Sequence, residues 1–501
     1  MTRAPQTGSE GDTPSSRKSI RWTALLLFIG VLFLAGLGSH GLLEPDEGRY
    51  ANMAIEFLES DHNRAEPTLS DVAHYDKPPL IYWFTGYSIR LFGASEFAMR
   101  LPSFLGSVLA LGGIFLLTLR QYGERAAWWA VFAGATSFQF WCLAHLLSPD
   151  MLLCGFCTLG CALTLWGGRG VKNWFIWSLG VACWCLAWWT KATAMLIPLG
   201  AIAGALLLTG RWDLLAHLRP IRVLALVLLF GSPWYLVMMY RHPELVDFFL
   251  HREVVGRIVG HADGRTGFPG YHLVVALFFW LPWWPFAVAR ALQNRKQWLA
   301  LSLAARRKAL PWEPVAALLV LLLFSFVSSK LITYTLPGVP LLAVYIGALL
   351  SSEVFSFRSR YGAIALLAAV VAAGILTALP YLESSLRNNS SPRKVIAHAQ
   401  DLGADWIISD RYFPGMKFYA GEQVLYVDVE SIVQVKDAPG QDPSRHFLKE
   451  GEIQKRVEES NESFWMVQMR KNQADWQKRL IALNPDAHPI SVGSFTLWKI
   501  K

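Results

Sequence analysis

From residue 21 to residue 380 the chain alternates long apolar runs with short polar turns. About eleven runs are long enough, with their flanks, to cross a hydrocarbon core of about 30 Å. They lie near 21–41, 97–119, 125–146, 150–167, 173–190, 192–210, 220–240, 271–291, 312–329, 331–351 and 361–380. Beyond Pro380 the rhythm changes to short strand-like and helical stretches: a helix near 392–403, an apolar run Trp406–Ile408, Val424–Val427, a strand at Phe464–Val467, a helix near 472–483 and a last strand near Ile490–Trp498. The pattern predicts a polytopic α-helical membrane protein with about 11 or more transmembrane helices and a soluble α/β domain at 381–501. Residues 1–20, opening in Ser, Gly, Thr and Pro, read as a disordered tail.

The turns alternate in charge. Arg17, Lys18 and Arg21 precede the first run, and basic turns follow the second (Arg120, Arg125), fourth (Arg169, Lys172), sixth (Arg211, Arg219, Arg222), eighth (Arg290, Arg295, Lys296, Arg306, Arg307, Lys308) and tenth (Arg358, Arg360). The positive-inside rule makes all of them cytoplasmic. The N-terminus is then predicted inside, and the loop 42–96, the turn at Asp150, residues 241–270, Lys330 and the 381–501 domain outside, which is periplasmic for the bacterial inner membrane that the short turns suit. The first run, about 17 residues, is longer than the core of a signal peptide, so it reads as a retained span.

Composition agrees. Of 501 residues 53% are hydrophobic and 17% charged, with a mean hydropathy of +0.32. The 381–501 segment holds 16 basic and 16 acidic residues, so the net charge of +9 belongs to the membrane part. These basic residues punctuate apolar stretches instead of clustering on a soluble face, which excludes nucleic acid as a partner. Cys142, Cys154, Cys157, Cys161, Cys183 and Cys185 all fall inside apolar runs and imply no disulfide framework.

Chemistry is sought where charge stands against the solvent's preference. The first outer loop opens Glu44-Pro45-Asp46-Glu47-Gly48-Arg49-Tyr50, a short surface helix on which Asp46, Arg49 and Tyr50 share one face at i, i+3 and i+4. The bland alternative is an acid that only favours its own helix N-terminus. Further on, Asp76-Lys77-Pro78-Pro79 precedes Tyr82-Trp83; Lys77 either grips a phosphate at headgroup depth or snorkels beside an aromatic belt. Asp150 starts a span, as a cap or as part of a cavity. Arg241, Arg252, Arg257 and Arg265 form an outer loop whose cations break the positive-inside pattern unless they meet an anion, and Lys330 sits between two spans with almost no loop.

These residues resemble a known family. Pro45-Asp46-Glu47-x-Arg49-Tyr50-Ala51, Tyr75-x-Lys77-Pro78-Pro79-Leu80-x-Tyr82-Trp83, Phe92-Gly93, Arg100-Leu101-Pro102-Ser103, Asp150-Met151-Leu152-Leu153, Arg252-Glu253 with Gly256-Arg257, and Lys330-x-x-x-Tyr334-x-Leu336-Pro337 together resemble the GT-C glycosyltransferases. Within them they resemble the bacterial lipid A aminoarabinose transferase family and its protein-mannosyltransferase-like relatives. The likeness covers most of residues 40–345. It implies a transmembrane glycosyltransferase domain over 21–380 whose first outer loop carries the catalytic carboxylate, Asp46, and whose donor is a sugar on a polyprenyl phosphate. By position Lys77 and Arg257 would hold the donor phosphate, Asp150 would share the cavity, Lys330 and Tyr334 would line the headgroup side, and Glu47, Arg49, Tyr50, Tyr82 and Arg252 would be further substrate contacts. The glutamate before the relatives' lysine is Asp76 here, and Val254 stands where a histidine can follow Arg252-Glu253. The metal site of some relatives is therefore not carried over: no cofactor is required, and a divalent metal is compatible but not demanded.

The expected reaction moves the sugar, 4-amino-4-deoxy-L-arabinose by resemblance, to lipid A or another envelope acceptor with inversion at the anomeric carbon. A transporter or flippase of a lipid-linked sugar is the alternative from another class, for which repeated halves and broken helices are expected. A scaffold presenting the 381–501 domain and a protein O-glycosyltransferase are the others.

Overall fold

A computed structural model of the chain describes residues 29–59, 64–167, 171–255, 267–352, 391–427, 446–469 and 484–501, with isolated positions from Thr23. The apolar run 361–380, the helix expected near 472–483, Arg257 and the side chain of Arg252 lie outside the described residues, as does part of the first run.

Among the described residues five helices are long and apolar enough to cross a membrane, and seven if each of two bent pairs counts as one span. Helix α1 (Asp46–Glu59) is the short helix expected after Pro45, followed by a two-stranded hairpin, β1 (Thr68–Leu69) and β2 (Val72–Ala73), and by α2 (Leu80–Phe92). Helix α3 (Glu96–Tyr122) is capped by Ser95, whose side chain accepts from the Ala98 N–H. It packs on α4 (Pro149–Trp166), where Gly106 faces Gly155 so closely that a Cβ on Gly155 would lie 2.4 Å from the Gly106 carbonyl oxygen. Small residues at that crossing let the two backbones meet, and the contact fixes the end of α4 that carries Asp150.

The run 125–146 is broken into two helices, Glu124–Ala135 and Phe138–Ala144. The runs 173–190 and 192–210 form α5 (Val171–Thr209), interrupted at Lys191, whose φ of −161° and ψ of 78° are not helical. Trp177 Nε1 donates to the carbonyl of His217 at 3.1 Å. A straight helix from residue 177 to residue 209 would be about 48 Å long, and eight further residues span at most about 29 Å. The chain therefore folds back at Lys191. The run 271–291 is bent by 102° between Tyr271–Phe279 and Trp284–Leu299. Helices α6 (Trp312–Ser325) and α7 (Gly338–Ser351) follow, joined by a 3-10 turn at Ile332–Thr335.

The C-terminal segment forms a six-stranded sheet from β3 (Trp406–Ser409), β4 (Val424–Val427), β5 (Phe447–Leu448), β6 (Phe464–Met469), β7 (Ile490–Val492) and β8 (Phe495–Lys499), in the order β5-β4-β3-β6-β8-β7. The first four pair in parallel and β6-β8-β7 antiparallel. The expected single last strand is a hairpin turning at Gly493, whose φ is 60°. Among the described residues three helices accompany the sheet: α8 (Arg393–Asp401), α9 (Gly415–Ala420) and α10 (Glu450–Glu459).

Helix α9 docks the sheet domain on α1. The Gly415 N–H donates to Glu44 Oε1 at 2.7 Å, Lys417 pairs with Glu56 at 3.1 Å, and the Tyr419 hydroxyl accepts from Leu42 N–H while donating to Glu96. The backbones touch at two glycines: a Cβ on Gly48 would lie 2.5 Å from Gly415 N, and one on Gly415 would lie 2.4 Å from Glu44 Oε1.

Candidate active site

The first turn of α1 places Asp46 at the end of the helical bundle, its side chain 59% exposed and therefore open to solvent. Arg49, one turn on, donates to Asp46 Oδ1 at 2.9 Å and lies 3.6 Å from Asp76 Oδ2. Asp76 also pairs with His74 at 3.1 Å. Burial alone would push the Asp76 carboxyl up, but His74, then Lys77 and Arg49, outweigh it and hold the group well below the usual carboxylate range. Arg49 and Lys77 lie 5.5 and 5.8 Å from the centre of the Tyr50 ring, and Tyr50 is 6.1 Å from the Tyr82 ring. The structure thus brings Asp46, Arg49, Tyr50, Lys77 and Tyr82 together, a carboxylate beside two cations over a buried aromatic floor.

A second cluster borders it from the bundle. Asp150, whose neighbour Ser148 donates to its Oδ2 at 3.1 Å, receives the Lys191 ammonium on Oδ1 at 2.6 Å. The same ammonium lies 5.1 Å from the centre of the Tyr334 ring, which stacks on Phe324. Tyr50 is within electrostatic reach of Lys191, so the two clusters share one neighbourhood. The reading of the sequence missed Lys191 because it fell between two apolar runs. The available signal was an ionisable residue preceded by 18 uncharged, mostly apolar residues, Asn173 to Thr190.

Two of the expected substrate contacts stand elsewhere. Glu47 points inward, only 3% exposed, and grips the fully buried Arg100 through both oxygens at 2.8 Å while accepting from the N–H groups of Leu147 and Leu43. Burial works against its charge, yet Arg100 holds its carboxyl below the ordinary value. Arg100 in turn donates to the carbonyls of Leu37, His40 and Gly41. Glu47 is one turn-step from Asp46 and so points about 100° away from it, into a clamp that joins α1, α3 and the turn before Asp150. Lys330 spends its ammonium on the carbonyls of Ser325 and Val327, at 2.7 and 2.6 Å, closing the end of α6. Among the described residues the His, Asp and Glu atoms near enough to share a metal ion lie outside this face.

Residues 76–236 match a family profile described as dolichyl-phosphate-mannose-protein mannosyltransferase. The chain is 28% identical over 361 residues to an undecaprenyl phosphate-alpha-4-amino-4-deoxy-L-arabinose arabinosyl transferase of Pseudomonas fluorescens, covering 67% of this chain and 61% of that one. It is 29% identical over 339 residues to the transferase of that name from Edwardsiella ictaluri, covering 66% and 59%. The chain thus spans about 60% of the length of these relatives. In three dimensions it is similar to ArnT from Cupriavidus metallidurans bound to undecaprenyl phosphate, with a TM-score of 0.71 at 19% identity over 96% of this chain and 98% of that one. It is also similar to the oligosaccharyltransferase AglB from Archaeoglobus fulgidus, with a TM-score of 0.56 at 12% identity over 95% and 74%. Sequence and fold agree in supporting the resemblance to the GT-C aminoarabinose transferases, and the fold is the GT-C fold.

Proposed function

We propose, for a chain of GT-C fold related in sequence to the undecaprenyl phosphate-aminoarabinose transferases, that it moves a sugar from a polyprenyl phosphate to an envelope acceptor at the outer face of the bacterial inner membrane. The N-terminus would then be cytoplasmic and the 381–501 domain periplasmic. The observation that carries the reading is the exposed Asp46 carboxylate held by Arg49 beside Lys77, at the mouth of an apolar bundle. Related chains are named for the 4-amino-4-deoxy-L-arabinose donor, which makes that sugar the first choice and lipid A the first acceptor.

In the reaction the bond between the anomeric carbon and the donor phosphate oxygen breaks, and its electron pair stays on the phosphate. An acceptor oxygen attacks from the opposite face, which inverts the carbon. Lys77, Lys191 and, in the segment beyond the described residues, Arg257 supply cations for the departing phosphate. For a hydroxyl acceptor Asp46 takes the proton as general base; for a phosphate acceptor it orients the nucleophile and offsets positive charge growing on the sugar ring.

The test is mass spectrometry of lipid A and of surface glycoproteins from cells with the wild-type protein, with Asp46→Asn and without the protein. A sugar-sized mass lost from lipid A in both deficient strains supports the reading. The same loss confined to a glycoprotein favours the protein acceptor, to which the mannosyltransferase profile over 76–236 points. No change in either, with the protein expressed, overturns the transferase assignment.

A further inference from the structure

We infer that Asp71, Glu422 and His446 form a divalent-cation site, of the zinc type, that clamps the C-terminal sheet domain to the first outer loop. Asp71 sits at the tip of the β1–β2 hairpin, Glu422 lies two residues before β4, and His446 immediately precedes β5 of the sheet. The Asp71 Oδ2, Glu422 Oε2 and His446 Nε2 atoms face one another, with His446 Nε2 3.1 Å from Asp71 and 3.3 Å from Glu422. All three lie within 4.8 Å of each other. None of them belongs to the Asp46 face.

The imidazole decides between an ion pair and a metal ligand. His446 is 1% exposed, and its Nδ1 lies 3.1 Å from the carbonyl oxygen of Val424. A carbonyl only accepts, so Nδ1 carries a proton and donates it there, which leaves the Nε2 lone pair pointing into the cluster. This outer anchoring of a ring N–H is the arrangement that orients metal-ligating histidines. A proton on Nε2 would lie along the ring axis, and neither carboxylate oxygen meets it in hydrogen-bond geometry: that nitrogen is buried with no hydrogen-bond partner among the described residues. Ligands about 2.0–2.1 Å from a tetrahedral zinc ion stand roughly 3.3 Å apart, and the two measured separations are 3.1 and 3.3 Å. One imidazole with two carboxylates is a zinc-type donor set.

The surroundings hold the ligands in place. Ser70 and Asp71 occupy the left-handed region at φ 53° and 60°, and their N–H groups donate to the two oxygens of Glu56 at 2.6 and 3.3 Å. Lys417 binds Glu56 and the other oxygen of Glu422 at 3.1 and 2.9 Å and lies within electrostatic reach of Asp71, so its ammonium borders the cluster and fixes the Glu422 carboxylate. A bound cation would tie the hairpin, and through Glu56 the helix α1, to the edge of the sheet.

The full-length protein in detergent is stripped with a chelator and titrated with zinc chloride alone, with bound metal counted by elemental mass spectrometry. The expected result is one zinc per chain for the wild type and for Asp46→Asn, with binding weakened at least about tenfold in His446→Gln and in Glu422→Gln. Glu422 is half exposed, so its variant keeps the test usable if His446→Gln fails to fold. Zinc should also raise the unfolding temperature of the wild type and not that of either variant. A stripped wild-type protein that takes up no zinc, or variants that retain it undiminished, would overturn the assignment. Because the readout is metal uptake, it fails or succeeds independently of the transferase reading.

Discussion

A buried ammonium and a buried carboxylate in contact stabilise each other mainly by sparing each other's desolvation, so removing one partner is costlier than removing both. Lys191 and Asp150 are such a pair, with side chains 11% and 12% exposed. Lys191→Met is expected to lower stability by about 3–5 kcal/mol and to abolish transfer. The double variant Lys191→Met with Asp150→Leu is expected to recover most of the stability and none of the activity; thermal unfolding in detergent beside a transfer assay reads both. The neighbours Asp46 and Glu47 separate in the opposite way. Asp46→Asn should leave the unfolding temperature unchanged while ending transfer, whereas Glu47→Gln should destabilise the fold by breaking the two-pronged contact with Arg100. At this scale the sequence was legible for Asp46, Arg49 and Tyr50, because helical spacing puts them on one face. It was not legible for Glu47, because which of two adjacent carboxylates meets a guanidinium 53 residues away is a property of packing and not of local pattern.

Between elements, backbone proximity takes over from side-chain chemistry. Helix α9 can rest on α1 because Gly48 and Gly415 carry no Cβ where the two meet. Gly415→Ala places a methyl 2.4 Å from Glu44 Oε1 and should cost about 1–3 kcal/mol of domain docking. Limited proteolysis should then release the C-terminal domain faster from the variant than from the wild type, and equal rates would refute the close contact as the cause of docking. The apolar stretches that became β3, β4 and β6 were readable because a buried parallel strand is apolar on both faces. Strand β5 has two residues, and α10 buries little more than Ile453 and Val457, spaced i and i+4 among charged neighbours, too faint a periodicity to read. The fold-back at Lys191 was located by the boundary between two apolar runs, and its meaning came only with the contact to Asp150.

For the whole molecule, the helical bundle and the sheet domain meet over helix α1, and one ionisable group makes that junction sensitive to pH. The oxygens of Glu44 are buried at the contact with Gly415, one of them with no hydrogen-bond partner among the described residues. Burial pushes its carboxyl up from 4.5 to about 8, the Gly415 N–H opposing and Glu47 and Asp46 reinforcing the shift. A carboxyl raised in the folded state binds its proton more tightly there than in the unfolded chain. Its contribution is complete below the ordinary value and is lost as pH rises from about 4.5 through about 8. The wild type should therefore unfold at a lower temperature near pH 9 than near pH 6, with Glu44→Gln, neutral at every pH, flattening that difference while keeping the Gly415 contact. Tryptophan fluorescence during thermal unfolding at the two pH values measures it. A variant with the wild-type slope would place the pH sensitivity in a group other than Glu44.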